Sequence, residues 1–486
     1  MRKSYTTSPK RLFKSTKNPI TEKNSILPQP KKIISSFGHL ALGEFSSKAF
    51  GFFTTIYLAR SLGVEQFGTY SWVMAIYAYA LLFANFGFET YGTIEIASSK
   101  SPETIGGITY LRLLYSVVAF LLALLLSLFL PANIRFLLIA QSANTLLVPL
   151  YLQFVFRGLN LNAIVAWSRF LQSGLFFVLV LLFVQNNNVI LLPALWAVST
   201  LASHLPLFFL VRKRFPTAFR LPSLEKFDEV FRRSVLIGTS GSIILVYLNF
   251  DTIILGIFSS ASQIANYTAA FKIYFLGYSI IGLYYLAFLP TIPQSADREN
   301  SVVLIKQFSS LLYIAAGYIG FAGYFLSGPV ILGLFGRNFD QAIGAMKVLF
   351  FSLSVSCLST AFMNPFQMVK EEKKYIRLHL IRTSIFLVLC LILIPMYGLM
   401  GAAISTLTAE VFIVCIAGRQ FSQYFKINDY RTMILSCVSG ALLFLIGIIL
   451  QNVFAVPPVI IFALFSSLFL LIIIGITRKN GVVENH

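Results

Sequence analysis

Long apolar runs separated by short polar breaks occupy this chain from residue 33 to residue 477. A helix of about 20 apolar residues crosses the hydrocarbon of a bilayer. Fourteen such runs are present, at 33–59, 67–95, 108–130, 136–156, 161–184, 189–211, 234–257, 264–293, 307–327, 341–369, 376–396, 399–418, 432–451 and 456–477. The pattern predicts an all-α integral membrane protein. The one long cytoplasmic break between spans, 212–233, splits the runs into six and eight. The expected organisation is a tail at 1–32, an N-lobe at 33–211 with spans 1–6 and a linker at 212–233. A C-lobe at 234–418 with spans 7–12 follows, then 419–486 with spans 13 and 14 and the C-terminal tail.

Charge orients these spans. Of the 38 Lys and Arg, 30 fall in breaks on the side that holds the N-terminus, and only Arg60, Arg135 and Arg337 fall on the other. Cytoplasmic loops collect Lys and Arg, so both termini are expected in the cytoplasm and the number of spans is even. The net charge of +20 then reflects topology and attraction to an anionic leaflet rather than nucleic acid. A content of 57% hydrophobic against 12% charged residues excludes an ordinary soluble domain. The first apolar run is too long for a cleavable signal peptide and carries Glu44 and Lys48. Cys357, Cys390, Cys415 and Cys437 all fall in spans without ligand spacing and read as packing residues.

The linker RKRFPTAFRLPSLEKFDEVFRR has two readings: a topology signal, or a short helix lying at the membrane interface on Phe227, Val230 and Phe231. Two weak internal correspondences suggest a repeat. Phe67-Gly68-x-Tyr70, opening the second span, matches Ile264-Ala265-x-Tyr267, opening the eighth, and Arg157 precedes Arg169 by the same twelve residues as Lys370 precedes Arg382. Six spans return the chain to its starting side, which suggests two parallel halves with substrate between them and spans 13 and 14 as an addition.

Chemistry in such a chain sits where charge enters hydrocarbon, because a lone central charge costs about 2.5–3.5 kcal/mol on insertion scales. The basic residues within spans are Lys48, Arg169, Lys272, Lys347 and Arg382; the acids are Glu44, Glu89, Asp251 and Glu410, with Glu95 nearer a cytoplasmic end. Glu44 and Lys48, four apart, are spaced for a same-face ion pair. A hairpin brings Asp251 and Lys272 to similar depth. Each couple reads either as a static pair or as a switchable ion or proton site. Arg169 and Arg382 have no sequence-local acid, and read either as headgroup anchors or as bidentate phosphate ligands. Tyr77, Tyr79, Tyr247, Tyr267, Tyr274, Tyr278, Tyr284 and Tyr285 are candidates for sugar stacking, although packing and interfacial belts explain most tyrosines in spans. His39, His204 and His379 lie near span ends and read as structural. No HExxH, Walker A, nucleophile elbow or metal cluster occurs.

The segment LARSLGVEQFGTYSWVMAIYAYALLFANFGFETYGTIEIA (58–97) resembles the first-hairpin signature of Wzx-type polysaccharide flippases, in the MATE/polysaccharide/lipid-flippase superfamily. The segments at 247–273, 334–349 and 393–410 agree, and the resemblance covers about 33–477. It implies about 14 transmembrane helices, in two six-helix lobes forming a V-shaped, MATE-like body plus two extra C-terminal helices. Where the family uses a cationic central cavity for a lipid-pyrophosphate-linked sugar, the matching candidates are Lys48, Arg169, Lys272 and Arg382. Asp251 matches a frequent acidic position, and with Glu44 and Glu410 is a candidate for coupling to a Na+ or H+ gradient; no cofactor is implied. The function implied is flipping of an undecaprenyl-pyrophosphate-linked oligosaccharide across the cytoplasmic membrane. The partners implied are that lipid-linked oligosaccharide, membrane lipids, and the polymerase and chain-length regulator of polysaccharide synthesis. The basic tail departs from the family pattern. A lipid II flippase shares the fourteen spans, and a multidrug exporter of the superfamily has twelve with an acid-dominated cavity. A polymerase or ligase would need a large outer loop, and the longest here is 328–340.

Overall fold

A computed structural model describes residues 30–185, 188–289, 298–427 and 431–479, with side chains followed from Gly43 to Phe469 except at 239–246, 248 and 298–301. Residues 1–29 of the tail expected at 1–32 and the side chain of His39 lie outside these, as do residues 480–486. Among the described residues every regular element is helical, and ten stretches are long and apolar enough to cross a membrane.

Helix α1 (Pro30–Ala84) is continuous apart from Gly63, whose φ of 72° and ψ of 172° break it. At about 1.5 Å per residue its 55 residues would reach about 80 Å, far beyond the roughly 30 Å of bilayer hydrocarbon. The break lets the two arms fold back, so that Gly51, Thr55 and Leu58 of one arm and Phe67, Ser71 and Ala75 of the other face the same cavity. Helix α2 (Phe88–Ser98) follows a turn at left-handed Gly87, so the span expected at 67–95 is interrupted. Helix α3 (Pro102–Ser127) starts on Ser101, which caps the Thr104 amide, with proline in the first turn.

The fourth span, expected at 136–156, is broken. It consists of α4 (Ala132–Ser142), a 3-10 stretch (Ala143–Leu150) and α5 (Gln153–Gly158). Pro149 lies in the 3-10 stretch and has no amide hydrogen to donate. Next come α6 (Asn162–Phe183), α7 (Leu192–Arg214) and α8 (Leu224–Phe258), the last capped by Ser223. The C-terminal half of the linker is therefore the first turns of α8, continuous with the seventh span, rather than a separate interfacial helix. Val230 is fully buried, Phe227 is half-buried and Phe231 is exposed.

The remaining helices are α9 (Ala261–Phe288), α10 (Arg298–Leu334), α11 (Ala342–Met368), α12 (Glu372–Phe425), α13 (Arg431–Phe454) and α14 (Pro458–Lys479). Helix α12 repeats the device of α1: Gly398, at φ 55°, breaks its 54 residues and lets Arg382 of one arm meet Glu410 of the other. The largest core joins α1 with α8, α9, α10, α11 and α12. A second, in α2, α3, α5 and α7, takes in Ala218 and Val230 from the linker. A third holds α13 and α14 against α10, where Gly317 and Gly440 pack so closely that a methyl on either would meet the other helix's backbone at 2.3 Å. The turns near 100, 160, 218 and 370 lie at one end of the bundle, called the basic end; those near 63, 130, 259 and 336 lie at the opposite end.

Candidate functional site

A cavity of about 360 Å³ lies between α1, α6 and α7 on one side and α8 and α9 on the other. Its wall mixes the rings of Phe67, Tyr70, Phe176, Trp196 and Phe271 with neutral polar groups such as Ser71, Asn249 and Thr268. Among the described residues Lys272 is the single charged residue in the lining, and no carboxylate shares it.

Close contacts seal the opposite end above this cavity. A methyl on Gly68 would stand 1.8 Å from the Ala261 carbonyl oxygen, and one on Gly256 would stand 1.9 Å from the Trp72 ring nitrogen. The rings of Phe67 and Phe339 meet edge to face at 6.0 Å. Arg60 crosses from α1 to α10, donating from Nε to the Leu334 carbonyl at 2.7 Å and from a terminal nitrogen to the Gly333 carbonyl. Cations suit the C-terminus of a helix, where carbonyls lack intrahelical partners.

The expected ionisable residues fall into three groups. One turn from cavity-lining Ser47 and Ser173, towards the basic end, Arg169 of α6 is bonded to Glu44, and Lys48 lies 3.9 Å from the same carboxylate. The i, i+4 pair of Glu44 and Lys48 is thus present. Its tighter partner is Arg169, 125 residues away, which sequence proximity could not reveal. Lys48 also stands over the ring of Phe275 at 6.0 Å.

The second group is Arg382, His379, Glu410 and Ser359. Arg382 donates to Glu410 at 3.1 Å, Ser359 donates to the other carboxylate oxygen at 2.7 Å, and Tyr247 lies 4.8 Å beneath the guanidinium. This pair is buried, at 5% and 0% side-chain exposure, whereas Arg169 and Glu44 keep 26% and 40%. Two arginines at matched sequence positions therefore stand in unlike surroundings.

The third group is Asp251. The structure does not join it to Lys272. Its carboxylate instead accepts from Tyr267 and from the Thr252 amide and hydroxyl, the last two at 2.6 and 3.2 Å. Lys272 points into the cavity, and no cation lies within ion-pair distance of Asp251 among the described residues. Of the tyrosines expected to stack on sugar, Tyr278 and Tyr285 line a smaller cavity, while Tyr77, Tyr247, Tyr267 and Tyr274 are packed in the core.

Sequence reasoning missed a charged network beside α2, α3 and α5. Arg112, expected in a cytoplasmic break, lies eleven residues into α3 and is fully buried. Its guanidinium takes the Asn85 side-chain oxygen and the Tyr151 carbonyl, two groups beside helix breaks. Asn85 reaches Glu89 at 3.3 Å, and Glu89 pairs with Arg157 at 2.7 Å. A backbone carbonyl freed inside a span needs an internal donor, and Arg112 supplies one. The signals that could have found it were the Ser101-Pro102 helix start, which carries Arg112 well inside the span, and Pro149 within an apolar run.

His204 and His379 both have polar partners. His204, buried in α7, stacks on Tyr151 at 4.4 Å; its Nδ1 faces the Thr200 carbonyl at 3.0 Å and its Nε2 faces the Gln153 amide nitrogen at 3.4 Å. Among the described residues no three His, Cys, Asp or Glu side chains gather as metal ligands.

A bundle of apolar helices long enough to cross a membrane, packed around an internal cavity, defines a multi-pass membrane protein. Its fold is that of the superfamily of lipid flippases and multidrug transporters. It matches a lipid II flippase, MurJ, in an inward closed conformation with a TM-score of 0.71 at 13% identity, over 90% of this chain and 99% of that one. An inward-facing multidrug MATE transporter matches with a TM-score of 0.60 at 14% identity, over 81% and 99%. The chain belongs to the polysaccharide biosynthesis protein family, whose model matches residues 33–296. It is 24% identical to the putative O-antigen transporter of Escherichia coli K12 over 395 residues, 78% of this chain and 94% of that protein. It is 32% identical to the probable flippase AglR of Haloferax volcanii over 169 residues, 33% and 35% of the two chains. The family resemblance of the first hairpin is upheld, and the relatives and structures matched are named as transporters and flippases rather than as enzymes.

Proposed function

We propose that this protein flips an undecaprenyl-pyrophosphate-linked oligosaccharide from the cytoplasmic to the outer leaflet of the cytoplasmic membrane for surface polysaccharide synthesis. The observation that carries the reading is the 360 Å³ cavity whose lining holds Lys272, aromatic rings and neutral hydrogen-bonding groups but no carboxylate. Sugars suit aromatic faces and neutral polar groups, and phosphates suit cations. A cationic drug would want the acid that this lining lacks. Similarity to proteins named as O-antigen transporters supports the glycan class.

In this reading the basic end is cytoplasmic, by its excess of Lys and Arg. The fold-backs of α1 and α12, together with α8 and α14, support fourteen spans arranged as lobes at 33–211 and 234–418 with an added pair beyond 419. The seal at the opposite end leaves the substrate to enter from the cytoplasmic leaflet. Lys48, Arg169 and Lys272 then face the pyrophosphate, with Glu44 as the counter-ion it displaces, and Arg382 offers a second contact. Asp251, a buried carboxylate without a cation, is the strongest group for coupling to Na+ or H+, while Glu410 serves as the fixed partner of Arg382. A polymerase and a chain-length regulator would consume the product.

The test uses purified protein in vesicles with a fluorescent lipid-pyrophosphate-linked oligosaccharide, scoring its exposure to a membrane-impermeant glycan-modifying reagent. Wild type should translocate it, and Lys272→Ala should slow transport roughly 10- to 100-fold, since a charge-assisted contact contributes about 1.5–3 kcal/mol. Lipid II in a parallel arm decides between the two glycolipid classes. Elongation of the glycan by the protein alone, or undiminished transport in a Lys48, Arg169 and Lys272 triple alanine variant, would overturn the proposal.

A further inference from the structure

We propose that a second cavity, of about 140 Å³ between α9, α11 and α12, is a separate binding site for an oxyanion, either a phosphoryl group or a sugar carboxylate. Its source as part of the transported glycolipid rests on the flippase reading; the binding chemistry does not.

The argument starts from three polar atoms on residues lining this cavity: Arg382 Nε, His379 Nε2 and the Tyr285 hydroxyl. All are buried and without a hydrogen-bond partner among the described residues. An unpaired buried polar group costs about 1–3 kcal/mol, so three around one cavity point to something the cavity receives. Their direction as donors can be worked out. Arg382 Nε always carries a hydrogen. His379 Nδ1 faces an Arg382 terminal nitrogen at 3.2 Å, and a guanidinium can only donate, so Nδ1 accepts and the hydrogen of the neutral ring resides on Nε2. The Tyr285 hydroxyl can donate as well. Glu410, the carboxylate paired with Arg382, is already engaged by Arg382 and Ser359, and among the described residues no carboxylate lines the cavity.

The cavity therefore presents donors without a competing acid. Thr360 and Asn364 add further hydrogen-bonding capacity to the lining, and Tyr278 and Tyr375 wall it. Fixed donors in a water-poor site stabilise an oxyanion even where the formal charge is already balanced, because they need no reorganisation when it arrives.

Its position fits a glycolipid with two contact points. Phe271 and Lys272 line the larger cavity, and Tyr278, Gly282 and Tyr285 line the smaller one further along α9 towards the basic end. Ten residues separate Lys272 from Gly282, about 15 Å along the helix. One elongated ligand can span both.

Gly282 makes the site testable, because a Cβ there would meet nothing within 4 Å. Gly282→Leu should fill the small cavity without disturbing the helix. Gly328 of α10, which lines neither cavity and is equally open, supplies the control Gly328→Leu. Calorimetric titration of the detergent-solubilised full chain with inorganic phosphate, pyrophosphate and glucuronate, at constant ionic strength in chloride, reads binding directly. A saturable component for at least one of these, separate from any that Lys272→Ala removes from the larger cavity, is expected in wild type and Gly328→Leu, with loss of that component in Gly282→Leu. His379→Phe, which keeps a ring against Tyr375, should weaken it at least tenfold without adding much volume. Preference for phosphate or pyrophosphate assigns the site to the phosphoryl end, and preference for glucuronate assigns it to an acidic sugar. No oxyanion binding above chloride, or equal binding in wild type and both small-cavity variants, would show a merely hydrated void. Because no transport is measured, binding with failed flipping would leave this site standing while removing the flippase reading.

Discussion

At the residue scale, burial decides what each charge is worth. Arg382 and Glu410 are almost wholly desolvated, so removing one partner strands the other. Arg382→Met should lower unfolding stability by about 3–5 kcal/mol, and Arg382→Met with Glu410→Leu should recover most of that. Arg169→Met, breaking a pair that keeps substantial exposure, should cost about 1 kcal/mol or less. Detergent-resistant unfolding followed by tryptophan fluorescence separates the cases; equal losses at Arg169 and Arg382 would contradict the difference in burial. Arg112 belongs with Arg382. A lysine there cannot serve Asn85 and the Tyr151 carbonyl with the same planar fork, so Arg112→Lys should also destabilise although charge is kept. Sequence spacing showed the pair of Glu44 and Lys48, because four residues make one helical step. It could not show Arg169 with Glu44 or Arg382 with Glu410, which depend on which helices become neighbours.

At the element scale, glycine and proline punctuate the spans. Gly63 and Gly398 occupy left-handed conformations at the two fold-backs, and Gly87 does so at the interruption of the second span. Gly68 serves a different purpose, letting α1 touch the backbone at the start of α9. Gly68→Ala should cost about 1–3 kcal/mol through overpacking. It should also raise labelling of a cysteine placed at Thr55, because the seal above the cavity opens; unchanged labelling would show that this contact is not part of the seal.

The linker is pinned by a charged clasp as well as by burial. Lys226 and Arg233 approach Glu95 of α2 at 4.0 and 3.8 Å, and Lys226 donates to Glu229 at 3.0 Å. That hydrogen bond from Lys226 is the main reason the Glu229 carboxyl is held below its ordinary range. A lowered folded value stabilises the clasp fully above the unfolded value of about 4.3 and is lost as pH falls through the folded one. Amide exchange across 224–233 should therefore quicken on acidification below about pH 4 in wild type, and Glu229→Gln should flatten that response.

At the scale of the whole molecule, the orientation assigned from charge predicts where a label can reach. In a cysteine-free background, impermeant maleimide added outside should modify single cysteines at 259 or 338 and spare those at 217 or 221. External modification at 217 would invert the topology. Arg60 ties α1 to the C-terminal carbonyls of α10 at the sealed end. Arg60→Ala should shift the population towards an open outer side, read as a longer spin-label distance between residues 64 and 336. The division into two lobes remains legible mainly through the linker and the matched arginines.

Hydrophobic length, charge asymmetry and the first-hairpin pattern, all local properties of the chain, determined the all-helical membrane class and the family. The positions of ionisable residues within apolar runs also marked most of the charges that the structure uses. What only the tertiary structure decided was which of those charges meet. Arg169 finds its acid on α1, Arg382 finds its acid across the fold-back of α12, and Asp251 is satisfied by hydroxyls while Lys272 turns into the cavity. The reason is physical: apolar length tells a helix that it must cross the membrane, whereas an unsatisfied charge or carbonyl within it is silent about its partner until side-chain packing chooses the neighbouring helix.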